Sequence, residues 1–145
     1  MRKLLGLVLI LACSLSACTW RIGGRDVELE RAGKLVKEGR HTEAMATYCK
    51  IARESPGTER GANALFACAS VRAAYDNPQR DYALALQEFD EFLRLYPGNE
   101  RSREALNWRF LLKTMLDLKK ENEGLSSRIE QLKQLDIRQE ERRRR

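Results

Sequence analysis

The sequence offers little of the chemistry that enzymes use. It has one histidine in 145 residues, His41, which we expect in a solvated turn between the first two helices. No His/Cys cluster has the spacing of a metal site, no Gly-x-Ser-x-Gly elbow occurs, and no glycine-rich loop could cradle a phosphate. The carboxylates stand beside Lys and Arg on predicted helix surfaces, where ion pairing explains them. We therefore predict a protein that is not an enzyme and that holds no metal.

A basic surface of the kind that binds nucleic acid is also lacking. The chain has 27 Lys and Arg against 21 Asp and Glu. Loss of an N-terminal leader would remove Arg2 and Lys3 and leave 25 basic residues (27 less these two) against 21 acidic ones. The remaining surplus of four equals the run Arg142 to Arg145. A nucleic-acid-binding domain spreads Lys and Arg over a folded face, so we expect no nucleic-acid partner.

The first residues have the layout of a secretory signal. Arg2 and Lys3 precede an apolar run over 4–12, which is too short to span a bilayer as a permanent helix. The run is followed by Leu15, Ser16, Ala17 and Cys18. This string resembles the lipobox of bacterial lipoproteins. The resemblance implies cleavage after Ala17, a diacylglyceryl group on the Cys18 thiol and no other cofactor.

The lipobox also predicts a location. Several acyl chains, at about 0.8 kcal/mol for each buried CH₂, would hold the protein on a membrane. Residue 19 is threonine rather than the aspartate that resembles an inner-membrane retention signal. We therefore expect a lipid-anchored protein of the bacterial outer membrane that faces the periplasm.

Cysteine is scarce after the leader. Cys13 lies within the leader and Cys18 is the predicted lipid site, so Cys49 and Cys68 remain. Both fall on apolar faces of neighbouring predicted helices, and an oxidising periplasm would permit them to pair. The sequence leaves two alternatives open. One is a disulfide, worth roughly 3 kcal/mol for a loop of about 20 residues; the other is two small buried apolar residues that never meet.

No segment shows the strict alternation of a half-buried strand, and the apolar spacing is helical from about Val27 onward. Clusters of proline with glycine or asparagine break this pattern at 55–57, 76–78 and 97–99. The predicted helices are 27–38, 42–54, 61–75, 82–95 and 101–140.

Two helical pairs share one pattern. In the second helix of each pair, an alanine is followed by an aromatic residue four positions later, an apolar residue three further on and a proline five beyond. The small residue permits close helix approach, the aromatic side chain fills the space toward the next pair, and the proline ends the helix. The predicted packing positions are Ala32, Leu35, Gly39, Ala44, Tyr48 and Pro56 in the first pair and Val71, Ala85, Phe89, Phe92 and Pro97 in the second, where Tyr75 continues the pattern.

This pattern resembles the tetratricopeptide repeat (TPR). Residues 77–97 also resemble a signature of TPR-containing outer-membrane lipoproteins of the BamD-like type. The resemblance implies about two helical hairpins that present a concave helical surface to protein partners. Because about three repeats are usually needed for stability, we expect a capping helix around Trp108.

The last helix follows a heptad. The d positions are Leu111, Leu118, Leu125 and Leu132, and the a positions include Met115, Asn122 and Ile129. Leucine at d with one asparagine at a resembles a short parallel zipper, in which a buried asparagine fixes register. The alternatives are self-association, pairing with another helical protein, and a helix that folds back along the repeats.

The C-terminal stretch 133–145, with Leu135-Asp136-Ile137 before a basic run, resembles the tail of lipoproteins that accompany sensor histidine kinases (QseG type). Such a run could also bind lipid headgroups or peptidoglycan carboxylates, or remain a solvated end.

These patterns predict an all-α protein with five segments. They are a signal peptide (1–17), a lipidated tether (18–26), a TPR-like domain (27–112), a coiled-coil helix (113–141) and a basic tail (142–145). We expect a scaffold whose partners are the membrane, a cell-envelope protein and, through the last helix, a second copy. The alternatives are an accessory regulator of a sensor kinase and a structural tether to peptidoglycan.

Overall fold

The structure of the protein, a computed structural model, describes residues 27–145. The predicted signal peptide, the lipobox with Cys18 and the tether lie outside the described residues. Every regular element within 27–145 is a helix, and that range contains no strand. The helices are α1 (27–37), α2 (His41–Glu54), α3 (Glu59–Ala73), α4 (Tyr82–Leu95) and α5 (Ser102–Arg143). The prediction of an all-α fold with a long C-terminal helix is confirmed. Among the described helices, none combines the length and the apolar composition that crossing a membrane requires.

The end of α1 is closed by a Schellman motif. The Arg40 N–H donates to the Leu35 carbonyl at 2.9 Å, and the Gly39 N–H donates to the Val36 carbonyl at 3.0 Å. Gly39 adopts a left-handed φ of 73°, which glycine reaches without a steric penalty. The prediction that Gly39 is a packing position is wrong, because a Cβ there would meet nothing within 4 Å. This glycine serves the turn.

Side-chain caps set the bounds of α3 and α4. The Thr58 hydroxyl accepts a hydrogen bond from the Gly61 N–H at 3.0 Å, so α3 starts two residues earlier than predicted. The Asp81 carboxylate accepts one from the Leu84 N–H at 2.9 Å. At the other end, α3 stops at Ala73. The prediction that Tyr75 continues the packing pattern is therefore wrong, and its side chain is 88% exposed.

The prolines of the repeat pattern follow the helices that they end. α2 stops at Glu54, two residues before Pro56, and α4 stops at Leu95, two residues before Pro97. Proline disfavours the helical conformation in the residue that precedes it, so both helices end where the sequence predicts. Both prolines are exposed and do not enter the core.

The core consists of two clusters that share α3. The first lies among α1, α2 and α3, and the second among α3, α4 and α5. Small residues at the crossings permit the helices to approach closely. The predicted packing positions that are buried in these clusters are Ala32, Leu35, Ala44, Tyr48, Val71, Ala85, Phe89 and Phe92.

Aromatic side chains occupy the centre of the second cluster. Phe66 meets both Phe89 and Phe92 edge to face, with ring centroids 5.5 Å apart in each pair. The Trp108 ring stacks on Phe89 at 5.8 Å, with 4° between the planes. Such pairs add about 0.5–1.5 kcal/mol each beyond area burial. The stacking fixes the first turns of α5 against α4, as expected of a capping helix.

α5 leaves the core without a break. Its buried residues are Ala105 and Leu112, and every residue after Leu116 is exposed. The last buried side chain is that of Leu112, and the helix continues from there to Arg143. At 1.5 Å per residue, its 42 residues extend about 63 Å.

Candidate functional site

Two surfaces of the described residues are candidates for binding: a groove on the helical body and the exposed part of α5. The groove, called here the α2–α4 groove, runs between α2 and α4 above α3 and encloses about 540 Å³. Leu65, Leu95 and Tyr96 supply apolar surface, and Arg72 and Glu88 supply charge. This volume lies in the range of small-ligand sites, roughly 300–1,000 Å³.

A disulfide borders the groove. Cys49 of α2 and Cys68 of α3 are joined, with their Cα atoms 5.7 Å apart. The sequence alone does not decide between this pairing and two separate cysteines. The bond links helices of successive hairpins and closes a loop with a sequence separation of 19. In the chain-entropy account this stabilises the fold by about 3 kcal/mol.

An ion pair lies against the disulfide. The Arg72 Nε donates to Glu88 Oε2 and its Nη2 donates to Glu88 Oε1, both at 2.9 Å. The side chains are only 17% and 13% exposed. Glu88 Oε1 also lies 3.6 Å from the Cys68 sulfur and 3.9 Å from the Cys49 sulfur. The prediction that the carboxylates all sit on open helix surfaces is therefore wrong for Glu88.

The position of His41 also differs from the prediction. His41 is the first residue of α2 and is 4% exposed, so it does not lie in a solvated turn. Its Nε2 lies 3.6 Å from Asp76 Oδ2, in the loop after α3. Its Nδ1 has no hydrogen-bond partner among the described residues. The loop after α3 covers this ring, a tertiary contact that helical periodicity alone does not reveal.

The resolved pKa shifts belong to α2 and the turn before it. A bidentate hydrogen bond from Arg40, at 2.8 and 2.6 Å, lowers the pKa of Glu43 below its usual range. The same contact raises the pKa of Arg40. Burial raises the pKa of the Tyr48 phenol, and the charge of Arg101 opposes this effect. Arg40 and Glu43 lie at the start of α2, and Tyr48 packs in the core. None of these three groups lines the α2–α4 groove, so they supply no acid or base there.

The exposed part of α5 carries the predicted heptad. Within residues 27–145 the a and d side chains from residue 111 to 132 have no packing partner, and the apolar ones are 39% to 61% exposed. They are Leu111, Met115, Leu118, Leu125, Ile129 and Leu132, with Asn122 also exposed among them. The helix does not fold back along the body, so that alternative does not describe the structure.

The first turns of α5 expose a further apolar face. Leu106 and Phe110 are exposed, whereas Ala105 and Leu112 of the same helix face α4. The solvent-facing side of a surface helix is normally polar. This end of the described helical array is therefore apolar and open. The sequence predicts the packing of this segment against the body around Trp108 but not the exposed face with Leu106 and Phe110.

Sequence reasoning missed three of the residues that shape this region. Neighbouring charges predict a surface carboxylate at Glu88, although it stands three residues after the buried Ala85 on an inward-facing helix side. Arg72 stands one helical turn after Cys68, a spacing that could have drawn attention to it. The sequence predicts only a helix break around Asn77, whereas this residue is fully buried and its amide donates to the Val71 carbonyl at 3.0 Å.

No family model matches the sequence, and comparisons with curated proteins and with solved structures give no match.

Proposed function

We propose that this chain is a non-catalytic scaffold of the bacterial cell envelope, built from TPR-like hairpins and anchored in the outer membrane through lipid on Cys18. Its helical body faces the periplasm, and α5 is the principal contact with a partner protein. The observation that carries this proposal is the unpartnered heptad stripe of α5.

The stripe supports a binding role because contiguous apolar surface on a soluble protein marks an interaction site. Leu118, Leu125 and Leu132 stand at successive d positions and are 60%, 50% and 61% exposed. Burying the exposed half of one leucine contributes about 1 kcal/mol. Repetition of this gain along a rigid helix favours a helical partner that follows the same stripe.

The partner most consistent with the stripe is a second copy. The same a and d residues can meet across a two-fold axis, with Asn122 opposite its counterpart to fix the register. Lipid anchoring concentrates both copies in one plane, which raises their effective concentration. A helix of another envelope protein is the competing partner.

The repeat-like packing supports the TPR resemblance. The alanine and aromatic residues at equivalent positions, Ala44 with Tyr48 and Ala85 with Phe89, are all buried between successive helices. The Cys49–Cys68 disulfide agrees with the predicted periplasmic address, because disulfides persist in oxidising compartments.

Photo-crosslinking in intact cells tests the partner. A photoreactive residue is placed at Leu125, a d position, and in a matched control at Lys120, an f position on the opposite face of the same helix. We expect adducts from position 125 alone, with twice the mass of one chain for a second copy and another mass for a different envelope protein. Equal labelling from both positions would contradict the proposed role of the stripe.

Fatty-acid labelling tests the anchor. The wild-type chain is expected to take up radioactive fatty acid and to sediment with outer membranes, and Cys18→Ser is expected to do neither. Cys13→Ser is the matched control, because this cysteine lies within the predicted leader. If the wild-type chain took up no label, the lipoprotein assignment would be wrong.

A second function, a tether to the peptidoglycan wall, is favoured by the basic tail. Arg142 to Arg145 are exposed at the far end of α5, and each charge near an anionic surface contributes about 1 kcal/mol. Changing these four arginines to glutamine should abolish sedimentation with purified peptidoglycan. Unchanged sedimentation would exclude this function and leave the stripe as the binding surface.

A further inference from the structure

We propose that, once its disulfide is reduced, this chain binds one Zn²⁺ ion through the thiolates of Cys49 and Cys68 and the carboxylate of Glu88. The inference does not depend on the proposed scaffold function. It begins with one geometric fact: the ligand atoms of these three residues all lie within 4.8 Å of one another.

The distances match a zinc site closely. Tetrahedral zinc with bonds of about 2.3 Å to sulfur and about 2.0–2.2 Å to oxygen requires sulfur and oxygen ligands roughly 3.5–3.7 Å apart. Glu88 Oε1 already lies 3.6 Å from the Cys68 sulfur and 3.9 Å from the Cys49 sulfur. After reduction, the two sulfurs need only separate to about 3.8 Å, the edge of the same tetrahedron. The carboxylate therefore needs little movement.

The charges around the cluster also balance. Two thiolates and one carboxylate carry three negative charges, which Zn²⁺ and the Arg72 guanidinium together neutralise. Arg72 Nε holds Glu88 Oε2 at 2.9 Å, and that bond can persist during metal binding. Arg72 Nη2 donates to Glu88 Oε1 at 2.9 Å and lies 3.8 and 3.9 Å from the Cys49 and Cys68 sulfurs, so it must move away for the metal to enter. An outer partner that orients a ligating carboxylate is typical of zinc sites. The ion pair thus positions the third ligand.

The groove supplies both an entry path and an open position. Cys49, Arg72 and Glu88 all line the α2–α4 groove, whereas Cys68 is fully buried behind them. Three protein ligands leave a fourth position for water or for a group that enters from the groove. Two sulfurs and one oxygen favour borderline-soft Zn²⁺ over Mg²⁺ or Ca²⁺, which prefer oxygen ligands.

The redox step needs a dithiol as reductant. The Cys49–Cys68 bond breaks as the dithiol supplies two electrons and two protons and closes to its own disulfide. This leaves two protein thiols. Zn²⁺ binding then releases both thiol protons to solvent, because only thiolates ligate the ion. Oxidation and metal binding are therefore mutually exclusive states of the same two sulfurs.

The test uses the full chain in detergent micelles, with Co²⁺ as a spectroscopic probe and Zn²⁺ in competition with a chromophoric chelator. We expect the reduced chain to bind one equivalent of Co²⁺ with sulfur-to-cobalt charge-transfer absorption, and the oxidised chain to show none. Glu88→Gln should weaken Zn²⁺ binding by at least about tenfold. Glu91→Gln, on the same helix and lining the same groove, is the matched control and should bind like the wild type.

X-ray absorption of the reduced, zinc-loaded wild-type chain provides a second measurement that needs no variant. Two sulfurs at about 2.3 Å together with oxygen ligands at about 2.0 Å are the expected coordination. Three results would each overturn the proposal: no metal uptake by the reduced chain, equal zinc affinity in Glu88→Gln and Glu91→Gln, or loss of helical circular dichroism on reduction. The last would show the cysteines to be purely structural.

Discussion

Removing the charge of Glu88 tests whether the Arg72–Glu88 pair behaves as a buried ion pair. Both N–O distances are 2.9 Å and the side chains are 17% and 13% exposed. Breaking a fully buried pair by removing one partner costs about 3–5 kcal/mol, because the other charge remains desolvated. Water in the groove screens part of that effect. We therefore expect Glu88→Gln to lower the free energy of unfolding by about 2 kcal/mol.

The assay is urea unfolding of the oxidised full chain, followed by far-ultraviolet circular dichroism. A double-mutant cycle with Arg72→Gln isolates the coupling between the two side chains, which we expect to be about 1–2 kcal/mol. Glu91→Gln is the matched control. Glu91 pairs with Arg94 at 3.8 Å on an open surface, so its loss should cost less than about 0.5 kcal/mol.

A coupling as small as that of an open surface pair would refute this reasoning. It would mean that water reaches both groups freely and that the groove is as polar as bulk solvent. Arg72 would then not orient Glu88.

Three further substitutions test the fold by the same urea assay. Phe89→Ala should cost about 3–5 kcal/mol, because the side chain is fully buried and contacts two other aromatic rings; a cost near 1 kcal/mol would contradict the packing. Gly61→Ala should destabilise strongly, since a Cβ would lie 2.0 Å from the Ser55 carbonyl oxygen, whereas Gly98→Ala, with nothing within 4 Å, should change stability little. Asn77→Ala should cost about 1–3 kcal/mol, because it removes the side-chain donor to the Val71 carbonyl at the end of α3 and leaves that carbonyl with the longer hydrogen bond from the Ala74 N–H at 3.3 Å; a neutral result would mean that water replaces the amide.

Local signals predicted the helices and their core faces well. Periodic apolar residues, capping residues and prolines influence only the few residues next to them in the sequence. The predicted bounds of α2 and α4 therefore agree with the structure to within one residue. The alanine and aromatic positions of the repeat pattern, such as Ala85 and Phe89, are buried for the same reason. The heptad likewise reports a property of one helix, and its side chains share the exposed stripe.

The groove could not be predicted from local sequence patterns, because it is formed by contacts between residues that are far apart in the sequence. Glu88 is buried because α3 brings Arg72 within hydrogen-bonding distance, and this partner lies 16 positions away in sequence. His41 is buried because the loop that holds Asp76 lies against it. The disulfide could be offered only as an alternative, because the distance between two helices is set by packing that involves the whole body.

Because α5 is continuous, it separates the helical body from the C-terminal end of the chain by a fixed length. The helix is anchored by Ala105 and Leu112 and then runs on to Arg143 without interruption. Its 31 residues beyond Leu112 reach about 46 Å at 1.5 Å per residue. A protein bound near the C-terminal end of α5 is therefore held at a fixed distance from the α2–α4 groove. Gly124, 12 residues beyond Leu112, is the residue of this segment with the lowest helix propensity, so the helix is intrinsically weakest there.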